Sequence, residues 1–232
     1  MQRIVVTGGN RGIGLEFVRQ LLARGERVIA ACRQPGKALR LTELAGAHPG
    51  RLQVLPLRLD DERSIRELAR EAGLLTDGLD LLINNAGVLV SGECFGELSA
   101  ATFNDTLATN AVGPLLLAQA LAPLLEHGTA PRVVNISSDL GSLAATHGFQ
   151  TPSYAMSKAA LNMATRLEAA ELGARGMVVV SINPGWVKTD MGGSRAPLAV
   201  SDSVSGMLAV IDRLGAADNG RFLDHTGTAL DW

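Results

Sequence analysis

Thr7-Gly8-Gly9-Asn10-Arg11-Gly12-Ile13-Gly14 crowds four glycines into eight positions directly after the short run Arg3-Ile4-Val5-Val6. Glycine loses conformational entropy on folding and packs no side chain, so such a cluster needs a structural reason. A plain turn is one reason. The other is a backbone that approaches a phosphate closely, because the cluster lies between an expected strand and an expected helix. A helix N-terminus there offers free N–H groups and partial positive charge. Gly8, Gly9, Gly12 and Gly14 do not spell GxGxxG. Gly9 to Gly14 has the GxxxxG spacing, but Leu15-Glu16 follows where a Walker loop requires Lys and Ser or Thr.

Outward from this turn, apolar runs alternate with helical patterns. Strands are expected near Arg3–Thr7, Arg27–Cys32, Leu52–Leu57, Leu79–Asn84, Arg132–Ser137, Met177–Asn183 and Gly220–Leu223. Helices are expected near Arg11–Ala23, Lys37–Ala45, Glu62–Ala72, Ala100–Leu125, Ser153–Gly173 and Ser201–Leu214. Val, Ile and Leu on both strand faces point to a sheet buried on both sides. The βαβα order predicts one α/β domain over residues 1–232, a doubly wound parallel sheet of about seven strands with helices on both faces. Ligands in such folds bind at the carboxyl ends of the strands.

Composition narrows the class. The 232 residues are 47% apolar and 19% charged, which fits a packed globule and not a disordered chain. A net charge of −2 without a basic block suggests neither nucleic acid nor an anionic membrane as partner. The N-terminus lacks the form of a signal peptide. The most apolar stretch, Ala111 to Leu125, is interrupted by Gly113, Pro114, Gln119 and Pro123, so no spanning helix is expected. Two cysteines without CxxC spacing suit a reducing compartment, and a cytoplasmic location is expected. Four scattered histidines suggest no metal site.

Several short motifs fall in order at the expected strand ends. Thr7-Gly8-x-x-x-Gly12-x-Gly14 follows the first strand and Asn84-Asn85-Ala86-Gly87 the fourth. Asn110 lies in the next helix, Ser138 ends the fifth strand, Tyr154-x-x-x-Lys158 opens the following helix, and Pro184-Gly185 ends the sixth strand. Over nearly its whole length the chain resembles the short-chain dehydrogenase/reductase family. Ser137 to Ser142, the Ser-Lys-Ala-Ala-Leu run from Ser157, and Phe222 to Gly227 are most similar to its C-factor and sniffer-type carbonyl reductase branch. The resemblance implies a Rossmann domain that binds a nicotinamide cofactor through Gly8, Asn10, Arg11, Gly12, Ile13 and Gly14. It further implies contacts from Asn84, Ala86, Gly87, Tyr154, Lys158, Pro184, Gly185, Val187 and Thr189. Asp60 is implied on the adenine amino group; a helix N-cap is the other reading of that residue. Asn84-Asn85 also reads as a pair that holds the sheet by side-chain hydrogen bonds.

The second strand decides the cofactor. Sites for NAD usually carry an acid about 20 residues past the glycines. Here Cys32 stands in that place and Arg33 follows. Arg33, with Arg11 as a second cation, suits a 2′-phosphate, so NADP(H) is expected.

Tyr154 and Lys158 share one helix face. A tyrosine of ordinary pKa ~10 is a poor acid at neutral pH, and an adjacent ammonium is expected to lower it. Tyr154 is the chain's only tyrosine. Tyr154 is therefore expected to protonate a carbonyl oxygen during hydride transfer, with Ser138 donating to the same oxygen. By the resemblance, Asn110 holds a water that links Lys158 to solvent. Ser138, by family alignment, is chosen over Ser137, which alternation turns the other way.

The segments 139–153 and 186–200 are expected to wall the substrate pocket. Leu140, Leu143, Phe149, Trp186 and Met191 read either as an apolar wall or as ordinary packing. Gly192-Gly193 suggests a lid hinge. The resemblance implies a homodimer or homotetramer acting on a small carbonyl or alcohol. A cofactor-binding signalling protein of the C-factor type is the alternative. No GxSxG elbow supports a serine hydrolase.

Overall fold

The computed structural model describes residues 1–232. Seven strands form one sheet: β1 (Arg3–Thr7), β2 (Arg27–Cys32), β3 (Leu52–Pro56), β4 (Leu81–Asn84), β5 (Arg132–Ile136), β6 (Val178–Asn183) and β7 (Phe222–Asp224). They run in the order β3-β2-β1-β4-β5-β6-β7, and every adjacent pair is parallel. The helices are α1 (Gly12–Ala23), α2 (Leu39–Ala47), α3 (Glu62–Leu75), α4 (Ala100–Leu107), α5 (Gly113–Glu126), α6 (Pro152–Gly173) and α7 (Val200–Arg213). The expected doubly wound α/β domain is the observed one.

Period-two alternation divides the core. Ile4, Val6, Ile83, Val134 and Ile182 pack against Leu15, Val18 and Leu22 of α1 and Val204, Met207 and Ile211 of α7. Val5, Leu82, Val133 and Val179 face the opposite layer, with Ile65 and Leu68 of α3 and Leu117, Leu121 and Leu125 of α5. The chain order reverses between β1 and β4, which opens a crevice at the carboxyl ends of those strands.

Some boundaries differ from expectation. A 3₁₀ turn at Pro35–Lys37 delays α2 to Leu39. The last strand begins at Phe222, because Gly220 adopts φ +76 before it. The expected helix over Ala100–Leu125 is two helices joined by a π turn at Ala108–Val112. Pro114 has no N–H for the carbonyl four residues back, that of Asn110, and the ladder widens there. Gly113 is also pressed against Leu59, where a Cβ would stand 2.4 Å from the Leu59 carbonyl oxygen. Ala100–Glu126 as a whole is long and apolar enough to cross a bilayer. Its Leu117, Leu121 and Leu125 are instead fully buried beneath the sheet.

A polar network lies between β4, β5, β6 and α6. Asn84 donates to Asn135 (2.8 Å), and the Asn135 amide donates to Thr165 Oγ1 (2.9 Å) and Glu168 Oε2 (2.8 Å). Thr165 also meets Ser181 at 2.8 Å. Asn84 Oδ1 and Glu168 Oε1 are buried with no hydrogen-bond partner in the protein. Burial pushes the Glu168 carboxyl up to about 7, against the Asn135 hydrogen bond that favours its charge.

An acid with a raised folded pKa supports the fold fully below its unfolded pKa, and that contribution is lost as pH rises through the folded value. Glu168 should therefore cost the protein ~3 kcal/mol between its ordinary 4.5 and about 7. Denaturant titrations of the wild type and Glu168→Gln should diverge over that window, with the variant the more stable above pH 7. Parallel stability curves would show that Glu168 does not hold its proton.

Candidate active site

The glycine turn lies in the β1–α1 crossing. Gly8 adopts φ +68, and a Cβ on Gly14 would stand 2.3 Å from the Gly8 carbonyl oxygen, so the turn closes only around glycine. The N-terminus of α1 carries no side-chain cap and no acidic residue in its first turn. Its amide groups and positive dipole end remain available to an anion. Thr7, the first residue of the glycine motif and given no role of its own in the sequence, fixes the neighbouring strand end. Its Oγ1 accepts from the backbone N–H groups of Asn85 and Ala86, both at 3.0 Å.

Of the expected cations, Arg33 is exposed at the end of β2, beside buried Cys32. Arg11 is not held for a phosphate. It reaches across the crevice to Asp190 at 3.1 Å, joining the glycine turn to the β6–α7 loop by an exposed ion pair. Asp60 is not the helix cap: it pairs with Arg58 (2.8 Å), and the cap of α3 is Asp61, which accepts from Arg63 N (2.9 Å). The Asn84 side chain is buried and committed to Asn135, so it holds the sheet, and only its backbone can reach the crevice. Asn85 likewise donates to the Thr7 carbonyl (2.9 Å).

Ala86 and Gly87 follow at the crevice edge. A Cβ on Gly87 would stand 3.3 Å from Asn110 Oδ1 and 3.8 Å from Lys158 Nζ. Beyond β6, Val187 is buried and bridges to Leu198, while Thr189 faces Gly12. Gly192 is no free hinge, since a Cβ there would stand 2.1 Å from the Val187 carbonyl oxygen. Trp186 Nε1 also donates to the Gly192 carbonyl (2.7 Å).

Ser138, Tyr154 and Lys158 come together at the carboxyl end of β5, all buried. Lys158 Nζ donates to the Ile136 carbonyl at 2.6 Å and lies 5.5 Å from the Tyr154 ring centroid. Burial pushes the Lys158 amine down to about 8. Burial pushes the Tyr154 phenol up to about 12, with the Asp139 charge adding to the rise and a Ser138 hydrogen bond opposing it. The expected lowering of the phenol by the ammonium is outweighed by burial. Below about 8 the amine keeps its charge beside a phenol that keeps its proton. Ser138 donates to Asp139 (3.1 Å) and accepts from Leu140 N (3.2 Å), so it must turn from Asp139 to meet a substrate. Ser137 points away and donates to Asn162 (2.6 Å), as strand alternation requires.

Asn110 is not free to hold a water through its side chain. Its Oδ1 accepts from Val88 N (2.8 Å), and its Nδ2 donates to the Val88 carbonyl (2.8 Å) and Ser157 Oγ (2.9 Å). The segment after β4 needs those bonds to satisfy its backbone. Ser157, named in the sequence only as the start of a similar run and given no role, passes the link on to the Tyr154 carbonyl (2.7 Å). Around the mouth, Leu140, Leu143, Phe149, Trp186 and Met191 are all exposed, so none is core packing.

The chain matches the family model for short chain dehydrogenase over residues 2–197. It is 46% identical over 157 residues to C-signal of Myxococcus xanthus, covering 68% of this chain and 95% of that one. NADPH-bound carbonyl reductase from chicken fatty liver superimposes with a TM-score of 0.94 at 39% identity, over 100% of this chain and 99% of the other. Carbonyl reductase Sniffer of D. melanogaster gives a TM-score of 0.94 at 35% identity over the full length of both chains. With the glycine turn, the parallel sheet and the Ser138, Tyr154 and Lys158 cluster in their places, the chain belongs to the short-chain dehydrogenase family.

Proposed function

We propose that this chain is an NADPH-dependent reductase that converts an aldehyde or ketone to its alcohol. The observation that carries the proposal is the buried cluster of Ser138, Tyr154 and Lys158 at the crevice. The residues present fit a dinucleotide. The uncapped N-terminus of α1 above the glycine turn suits the diphosphate. Arg33, exposed and without an acid beside it on β2, suits a 2′-phosphate. Lys158 bonds one protein acceptor, Ile136, and so has N–H groups left for ribose hydroxyls.

Bound NADPH supplies hydride to the carbonyl carbon. The protein supplies the proton. A phenol held up at about 12 keeps its proton at neutral pH, and because an alkoxide forming beside it is the more basic oxygen, Tyr154 serves as acid and not as base. Ser138 donates a second hydrogen bond to the same oxygen as its charge grows. Once the phenol has given up its proton, the Lys158 ammonium, charged below about 8, steadies the phenolate. The exposed apolar rim of Leu140, Phe149, Trp186 and Met191 suits an uncharged substrate.

The likeness to C-signal favours a second reading, a signalling protein that binds cofactor with incidental turnover. We also infer assembly through α6, which exposes Met156, Met163 and Leu167 along one face. The small residues Ala159 and Ala160 beside them permit close approach of a second helix.

Tyr154→Phe should lower turnover of a carbonyl panel about 100-fold or more while leaving NADPH binding unchanged. A signalling effect that survives that substitution would favour the second reading. Arg33→Ala should raise KM for NADPH about tenfold with little change for NADH, and equal changes for both would remove the 2′-phosphate role. Light scattering should find an oligomer that Met163→Glu dissociates; a monomeric wild type would refute the assembly.

A further inference from the structure

The helix that carries Tyr154 and Lys158 begins without a cap of its own. Its N-cap residue, Thr151, adopts φ +38 and ψ 58, a left-handed conformation that is uncommon for threonine, and makes no side-chain cap bond. Thr151 Oγ1 is buried with no partner in the protein. The first turn of α6 also holds no acidic residue. Left there, the free N–H groups next to the catalytic tyrosine would be unsatisfied in a region where Pro152, Ser153 and Tyr154 are all buried.

Glu93 fills that role from another part of the chain. It lies in the segment between β4 and α4, and its Oε2 accepts from both Ser153 N (3.2 Å) and Ser153 Oγ (2.8 Å). Ser153 immediately precedes Tyr154. The carboxylate thus stands at the positive end of the α6 dipole, where a negative charge is favoured. A second contact ties the same two segments: Phe95 meets Phe149 edge to face, with ring centroids 5.5 Å apart. Glu93 Oε1 is buried with no protein partner, so the carboxylate is positioned by Ser153 and not by a competing cation.

We propose that Glu93 is a positioning residue: it caps the catalytic helix across the rim, ties the 88–99 segment to it and so fixes Tyr154, the proton donor. The role in turnover rests on the reductase reading above; the capping itself does not. Glu93 touches neither Tyr154 nor Lys158, and it lies outside the glycine turn, so it should leave cofactor binding alone.

The test compares the full-length wild type, Glu93→Ala and Glu93→Gln. Because the chain has one tyrosine, phenolate absorbance near 295 nm reports Tyr154 alone. The buried wild-type phenol should stay protonated between pH 7 and 11, since it is held up at about 12. In Glu93→Ala the frayed helix end should admit water, and the phenol should begin to ionise near its ordinary ~10. Turnover should fall on the order of tenfold in kcat, with NADPH affinity within about twofold of wild type, in keeping with the usual effect of losing an N-cap. Glu93→Gln keeps an oxygen acceptor for Ser153 and should recover most of the turnover and the wild-type phenol. A Glu93→Ala protein with unchanged kcat and unchanged phenol overturns the proposal, as does an equal loss in Glu93→Gln. If the wild type reduces no carbonyl, the reductase reading has failed, and the absorbance comparison still decides the role of Glu93.

Discussion

Lys158 donates to the carbonyl of Ile136, the last residue of β5, and the geometry of the whole crevice depends on that bond. A buried amine is costly unless it is hydrogen-bonded. Here one strand carbonyl meets the need, and in doing so fixes the start of α6 against the end of β5. Tyr154 lies one helical turn before Lys158 and Ser138 two residues beyond Ile136, so a single anchored side chain brings three groups to one point. The same burial sets the order in which the groups lose protons. The amine releases its proton near 8 and the phenol near 12, and at neutral pH the site therefore holds a charged lysine and a neutral tyrosine.

The rest of α6 is docked in the same manner, through polar groups. Asn162 meets Ser137 and the Gly141 carbonyl, Thr165 meets Ser181, and Glu168 meets Asn135. Directional bonds allow less sliding than apolar contacts, because a shifted helix would strand each buried partner. The opposite helical layer relies more on apolar packing: α1 and α7 bring Leu, Val, Ile and Met side chains and Phe17 to the sheet, while Ser203 donates to the Pro184 carbonyl and Arg24 pairs with Asp212. Helix α6 is therefore registered largely by hydrogen bonds, and the helices on the other face largely by volume.

Much of this was legible in the sequence, because strong local rules act there. The five inner strands are runs rich in buried Val, Ile, Leu and Ala, and the glycine turn, Asn84–Gly87, Ser138 and Pro184-Gly185 each fall at the carboxyl end of one. Gly8 and Gly14 follow from the glycine spacing, Tyr154 and Lys158 from their four-residue interval together with the family resemblance, and Ser138 from that resemblance. What spacing could not give was the partner of each polar side chain. Arg11 turns to Asp190, Asn84 to Asn135 and Asn110 to Val88, all through contacts between residues far apart in the chain. The π turn had a local signal in Gly113-Pro114, since proline removes one helical donor. The capping of α6 by Glu93 had none, as it joins residues sixty positions apart.

The place of β1 in the middle of the sheet has a kinetic consequence. It is the first strand in the chain, yet one of its neighbours is β4, with Ile4 opposite Leu81. Ser138, Tyr154 and Lys158 attach later still, through β5 and α6. Pairings so distant along the chain are slow to form, since loop-closure entropy must be overcome before any contact compensates it. The glycine turn thus emerges early during synthesis and waits, half-built, for the far side of the crevice. Until β4 docks, one edge of β1 stays open to strands of other nascent chains, a window in which aggregation competes with maturation.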